Sequence, residues 1–123
     1  MRVIDPGHLF LLESYDGGEL QPLVFVKRYK PPEKYSGNAS AYPGTNLQDI
    51  LRACVSRLDY LQRQSVACEN EKVRAALVDA IYQLEVRAHR KHASVLTLTP
   101  DEVVTAPTCS QCGHVACSWC HAA

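Results

Sequence analysis

Two stretches of the chain place apolar residues three and four positions apart, the spacing that lines one face of an α-helix. The first predicts a helix of about five turns, whose apolar positions are Leu47, Ile50, Leu51, Cys54, Val55, Leu58 and Leu61. The second has apolar positions at Val73, Ala76, Leu77, Ala80, Ile81, Leu84 and Ala88. Only a few residues separate the stretches, so we predict two antiparallel helices that form a hairpin.

The predicted first helix carries two further local signals. Thr45 is followed three positions later by Gln48, which predicts a capping box at the helix start. Cys54 lies on the apolar stripe, so we expect it to be a small buried apolar residue.

The first thirty residues have the pattern of short strands. The apolar runs 9–12 and 23–26 flank Asp16-Gly17, a strong signal for a tight turn, and Val3-Ile4 suggests one more short strand. Prolines and glycines between 30 and 44 predict a surface loop. The expected fold class is therefore α+β: an N-terminal β-hairpin or small antiparallel sheet, an antiparallel helical hairpin, and a short Cys/His-rich C-terminal tail. We expect a single domain over 1–92, with its β region at 1–44 and the hairpin at 45–92, then a linker and tail over 93–123.

Composition narrows the class of partner. The 123 residues contain 46% apolar residues and carry a formal net charge of zero, which suits one small core whose stability leans on self-association. A neutral chain argues against binding to duplex DNA, because that requires a broad basic surface. The chain shows neither a long apolar run nor a signal peptide, so we expect no membrane partner and a cytoplasmic location.

Two cations interrupt the apolar stripe of the second helix. Arg87 and Lys91 stand one turn apart where the pattern calls for Leu or Ile. Either the second helix extends beyond its contact with the first and the cations reach into water, or the cations line a pocket for phosphate or pyrophosphate. Tyr60 points away from the first stripe, so it is either an ordinary surface tyrosine or an aromatic that stacks on a base or a second subunit. Asn70 can cap the second helix or contact a ligand.

The last fifteen residues concentrate metal-binding side chains. Two C-x-x-C units and an intervening histidine provide the candidate ligands Cys109, Cys112, His114, Cys117 and Cys120. Zinc takes four thiolate or imidazole ligands, and C-x-x-C spacing lets two sulfurs converge on one ion. One zinc ion, a thiol-rich flexible tail and disulfides remain as alternatives.

Several segments of the chain together resemble a phage family. They are Pro43-Gly44-Thr45-Asn46, Ile50-Leu51-Arg52, Arg57-Leu58-Asp59-Tyr60-Leu61, Cys68-Glu69-Asn70 and Leu84-Glu85-Val86-Arg87-Ala88, together with Val3-Ile4-Asp5-Pro6-Gly7-His8 and Phe25-Val26-Lys27-Arg28. The pattern over 1–92 is similar to that of the Thoeris anti-defence sponges of the first type, whose helical hairpin is shared with an anti-CBASS sponge.

The resemblance implies a non-enzymatic binder. Such sponges sequester a cyclic ADP-ribose isomer made by bacterial TIR enzymes, assemble as homodimers or homohexamers, and in some members also bind CBASS cyclic oligonucleotides. Carried over residue by residue, the ligand contacts are Arg28, Tyr60, Asn70, Arg87 and Lys91. Lys91 departs from the family, which prefers Arg there. The implied setting is the cytoplasm of an infected or lysogenic bacterium, and the main function needs no cofactor.

Two other classes of function compete with this interpretation. One is a zinc-knuckle adaptor or nucleic-acid-binding regulator that uses the hairpin to oligomerise. The other is a phage structural or assembly accessory protein that binds no small molecule. The sequence shows no Ser/His/Asp pattern, no pair of catalytic carboxylates and no phosphate-binding loop. We therefore expect no enzymatic activity.

Overall fold

A three-stranded antiparallel sheet forms the beginning of the chain, with strand order β1-β2-β3. Its strands are β1 (Arg2–Asp5), β2 (Leu9–Leu12) and β3 (Gln21–Val24). The computed structural model describes residues 1–30, 40–92, 95–115 and 117. Asp16 and Gly17 have φ values of 61° and 82°, the left-handed conformation of a local turn, and this turn lies within the longer connection between β2 and β3. Together with the helices that follow, this sheet confirms the predicted α+β class.

The chain consists of two compact units, Met1–Asn46 and Leu47–Ala123. We refer to them as the sheet unit and the helical unit. This boundary differs from our expected division at residue 92. The segment that we expected to be a linker contains a helix, α3 (Pro100–Thr105), and the residues around it contribute to the core of the helical unit.

A polar cluster stabilises the sheet unit. Lys27 is only 6% exposed, and it is the one buried residue among those that the structure describes in this unit. Its Nζ donates to Asp5 Oδ2 at 2.8 Å, and the Tyr42 hydroxyl donates to the same oxygen at 2.5 Å. These bonds lower the pKa of Asp5. Burial, with the bond to Asp5, raises the pKa of Tyr42 to about 12.

The helical unit begins with the predicted hairpin, formed by α1 (Leu47–Gln64) and α2 (Cys68–Lys91). Contacts between the two helices show their antiparallel arrangement. Arg74 near the start of α2 pairs with Asp59 near the end of α1 at 2.9 Å, whereas Arg52 near the start of α1 pairs with Glu85 near the end of α2 at 3.0 Å.

The core of this unit contains Val55 and Ile81 of the predicted stripes, but it also contains Val78, which lies outside them. Its fully packed residues are Val55, Val78, Ile81, Val103 and Val115. Positions Leu47, Leu61 and Val73 of the predicted stripes are 44%, 36% and 47% exposed. Cys54 is exposed as well, so our expectation that it is buried was wrong. The reason is that α3 and the cysteine segment also pack on the hairpin and select its buried face.

The capping box that we predicted at Thr45 and Gln48 does not form. The Thr45 N–H donates to the Val24 carbonyl at 2.8 Å, and the Gln48 side chain contacts His114 instead. Capping appears at α3, where Glu102 accepts hydrogen bonds from the Thr99 N–H at 2.7 Å and hydroxyl at 2.9 Å. These bonds lower the pKa of Glu102.

Candidate metal centre and anion site

Three cysteines of the C-terminal segment come together. The sulfurs of Cys109, Cys112 and Cys117 all lie within 4.8 Å of one another, so the group could hold a metal ion. A tight turn brings the first two together: the Gly113 N–H donates to the Cys109 carbonyl at 2.8 Å, and Gly113 has a φ of 76°. The Gln111 N–H donates to the Cys109 sulfur at 3.4 Å. Such a bond stabilises a thiolate, the form in which cysteine binds metal.

His114 does not join this group of ligands, although we included it in the predicted set. Its Nδ1 accepts a hydrogen bond from the Gln48 amide at 3.0 Å and lies 3.9 Å from a carboxylate oxygen of Glu85. Burial lowers the pKa of His114, an effect that the Glu85 carboxylate opposes. Cys120, the other predicted ligand, lies outside the described residues.

A buried ion pair ties the cysteine segment to the helical hairpin. Glu85 is fully buried and accepts hydrogen bonds from Arg52 and from the Val115 N–H, both at 3.0 Å. His89, which is 5% exposed, donates from Nε2 to the Val115 carbonyl at 2.7 Å. Val115 is therefore held by both of its backbone polar groups while its side chain enters the core. Because the buried Glu85 carboxylate binds both the hairpin and the cysteine segment, we expect it to stabilise this unit, although Arg52 also pairs with Asp49 at 3.3 Å.

Our sequence reasoning missed Glu85 and His89. Both follow Val78 and Ile81 at helical spacing, which was a usable signal, but their polarity kept them out of a stripe defined by apolar residues.

A second feature of the helical unit is a concave depression of about 240 Å³ near the C-terminal end of α2. Its lining residues are Leu47, Gln48, Leu84, Arg87, Ala88, Lys91, His92 and His114. Neither Arg87 nor Lys91 is paired with an acidic group in the part of the chain that the structure describes. Two unneutralised cations therefore border one recess, which favours an anion.

The remaining predicted ligand contacts lie elsewhere. Tyr60 is 46% exposed and has the Arg57 guanidinium 5.3 Å from its ring centre. It follows Leu47 by thirteen positions, which is about 20 Å along a helix axis. Asn70 donates to the Gln62 side chain at 3.1 Å, and Arg28 belongs to the sheet unit. Within one copy, the structure brings Arg87 and Lys91 together and leaves Tyr60 and Asn70 away from their depression.

No helix among the described residues combines the length and the apolar character that a membrane crossing requires. Neither a family model, nor a curated protein, nor a solved structure matches this chain.

Proposed function

We propose that this chain is a non-enzymatic protein that captures a small phosphate-bearing nucleotide at the depression next to Arg87 and Lys91. The observation that supports this proposal best is the pair of cations, one helical turn apart on the rim of a single recess, that have no acidic partner among the described residues. An Arg guanidinium can donate two parallel hydrogen bonds to a phosphate, and a Lys ammonium adds a point charge. Leu47 and Leu84 offer apolar surface beside them.

The size of the recess bears on how a nucleotide would be held. Its volume of about 240 Å³ is below the roughly 300–1,000 Å³ of usual ligand pockets. One copy therefore suits a phosphate-bearing end of a ligand better than a whole dinucleotide. A complete pocket would need a second copy of the chain, which fits the homodimer or homohexamer expected from the family resemblance.

The resemblance suggests which nucleotide to test. We propose a cyclic ADP-ribose isomer made by bacterial TIR enzymes, with CBASS cyclic oligonucleotides as further ligands. The biological role would be phage anti-defence in the bacterial cytoplasm. Capture alone suffices for this role, because a bound signal no longer reaches its effector.

The test is to incubate the full-length protein with each purified cyclic ADP-ribose isomer and measure the free ligand. We expect depletion, followed by release of unchanged ligand when the protein is heated. Recovery of a cleaved product would indicate an enzyme instead. Absence of depletion by every isomer would refute this choice of ligand.

A matched pair of variants locates the site. Arg87→Ala should weaken capture by about 2 kcal/mol, roughly 30-fold, because a charged donor to phosphate is lost. Arg90→Ala removes the same charge from the same helix, but Arg90 does not line the depression, so its affinity should stay close to that of the wild type. Equal behaviour of the two variants would move the site elsewhere.

The cysteine cluster favours a second candidate, a zinc-knuckle adaptor or nucleic-acid-binding regulator. We propose that Cys109, Cys112 and Cys117 bind zinc, with Cys120 as the fourth ligand according to its C-x-x-C spacing. Bound zinc would hold the turn around Gly113 closed. Native mass spectrometry of the full chain would show one retained zinc ion and report the oligomer at the same time.

The two candidates cannot be separated by deleting residues 100–123, because that deletion removes Val103 and Val115 from the core. Exposed side chains of the cysteine segment offer a milder test. Replacing Ser110 and Gln111, both exposed, with alanine should abolish partner or RNA binding by an adaptor and leave nucleotide capture unchanged. Loss of capture with intact RNA binding would move the capture site from Arg87 and Lys91 to the cysteine segment.

A further inference from the structure

The two candidate sites share one residue. His114 follows Cys112 and Gly113 in the cysteine segment, and it also lines the depression that contains Arg87 and Lys91. Building on the proposed function, we infer that His114 is a wall of the anion site, positioned by the metal-binding cysteines. Metal occupancy and nucleotide binding are then thermodynamically coupled.

The covalent connection is short on both sides of His114. Cys112 precedes it by two positions and Cys117 follows it by three, so a metal held by these sulfurs fixes the ends of the loop that contains the imidazole. The backbone of this loop is already folded back on itself, since the Cys109 N–H donates to the His114 carbonyl at 2.9 Å. Thr108 and Val115 pair as an antiparallel bridge across its base.

Contacts with the hairpin determine where the imidazole lies. Gln48 of α1 donates to its Nδ1 at 3.0 Å. Arg52 donates to the Gly113 carbonyl at 3.4 Å while it pairs with Glu85. The His92 ring, which also lines the depression, has its centre 6.0 Å from that of His114. Opening of the cysteine loop would withdraw His114 and remove one side of the recess.

The coupling between metal and anion binding must be equal in both directions. If metal binding raises the affinity for the anion by some factor, the anion must raise the affinity for the metal by the same factor. Couplings of this kind are typically about 5- to 150-fold. Because the metal closes only one wall, we expect a factor of about 10, near the lower end of that range.

The experiment measures both directions on the full-length protein. Isothermal titration calorimetry gives the affinity of each purified cyclic ADP-ribose isomer for the zinc-loaded protein and for protein stripped with a chelator, while circular dichroism monitors the helices. Competition with a chromophoric chelator gives the zinc affinity with and without the tightest isomer. Arg87→Ala is the matched control, because this variant keeps the zinc ligands but binds the nucleotide weakly. Any zinc that the free nucleotide chelates directly is the same with the variant as with the wild type.

We expect the stripped protein to bind the isomer about 10-fold more weakly. At an isomer concentration above the wild-type dissociation constant but below that of Arg87→Ala, the isomer should raise zinc affinity in the wild type and leave it nearly unchanged in Arg87→Ala. Cys54→Ser, which alters an exposed thiol outside the cluster, should leave both affinities unchanged. Equal isomer affinity with and without zinc, or the same zinc shift in wild type and Arg87→Ala, overturns the coupling while capture itself stands. Failure of every isomer to bind the zinc-loaded protein overturns both proposals.

Should stripping unfold the helices, His114→Ala in zinc-loaded protein decides the matter. A loss of about 10-fold in isomer affinity with zinc retained supports His114 as a wall of the site. Unchanged affinity overturns it.

Discussion

The sheet unit and the helical unit each contain an ion pair with one buried member, Lys27 in the first and Glu85 in the second, but the surroundings of the two pairs differ. In the sheet unit, Lys27 and Asp5 meet beside Tyr42, and no apolar residue is buried among those that the structure describes there. In the helical unit, Arg52 and Glu85 meet next to five fully packed apolar residues. The first pair substitutes for a core, whereas the second connects a core to the cysteine segment.

The two ion pairs show why a small protein can bury polar side chains that belong to no binding site. A unit of about fifty residues buries too little apolar surface to be stable by that means alone. Directed polar contacts then fix which segments lie together. In the helical unit the same kind of contact does more, because it sets the position of a loop that carries candidate metal ligands.

The largest effect that we predict comes from breaking the pair in the helical unit. Glu85→Ala should lower the free energy of unfolding by about 3 kcal/mol, because Arg52 loses its buried carboxylate and keeps only the half-exposed Asp49 at 3.3 Å, and the Val115 N–H loses its acceptor. Urea unfolding followed by helical circular dichroism measures this. Asp79→Ala is the control, since Asp79 is exposed on the same helix. Similar stabilities of the two variants would contradict a structural role for Glu85.

A smaller effect distinguishes the core observed here from the face predicted by periodicity. Val78→Ala should cost about 2 kcal/mol of unfolding free energy, since Val78 is 5% exposed and its removed methyl groups leave a cavity. Val73→Ala removes the same atoms from a position that is 47% exposed, and it should cost well under half as much. If Val73→Ala lowers the free energy of unfolding more than Val78→Ala does, the helix face around Val73 is covered in solution, for example by a second copy.

The smallest effect is confined to the sheet unit and depends on pH. Tyr42 should ionise with a midpoint near 12, followed by its phenolate absorbance, and Asp5→Asn should bring this midpoint down toward 10.0, the ordinary pKa of tyrosine. A raised pKa means that the folded state favours the neutral phenol. This contribution to stability is therefore complete below pH 10 and lost between pH 10 and about 12. An unchanged midpoint in the variant would contradict the Asp5 contact.

Asp5 itself gives the opposite dependence at low pH. Its pKa is below the ordinary value of 3.8, so the folded state favours the carboxylate. The stabilisation is present above pH 3.8 and disappears as the pH falls through the lowered pKa. Backbone NMR signals of the three strands should weaken over that range in the wild type, and Asp5→Asn should remove this transition. A persistent transition in the variant would assign it to another group.

The sequence by itself determined the local structure of this protein. Helical periodicity located α1 and α2, the short connection between them made them antiparallel, and Asp16-Gly17 marked the turn of the sheet. The cysteine spacing identified the segment in which three thiols converge. Each of these features depends on residues close together in the chain, so a short window of sequence contains the physical information.

Only the tertiary structure decided which faces are buried and which predicted site residues meet. Periodicity describes one helix at a time, so it could not show that α3 and Val115 would pack on α2 and draw Glu85 and His89 into the interior. Nor could it show that Gln48, expected in a capping box, would contact His114 sixty-six positions away. Arg87 and Lys91 share a recess because they stand one turn apart on one helix. Tyr60 and Asn70 lie elsewhere, since nothing local fixes which parts of two different helices face the same recess.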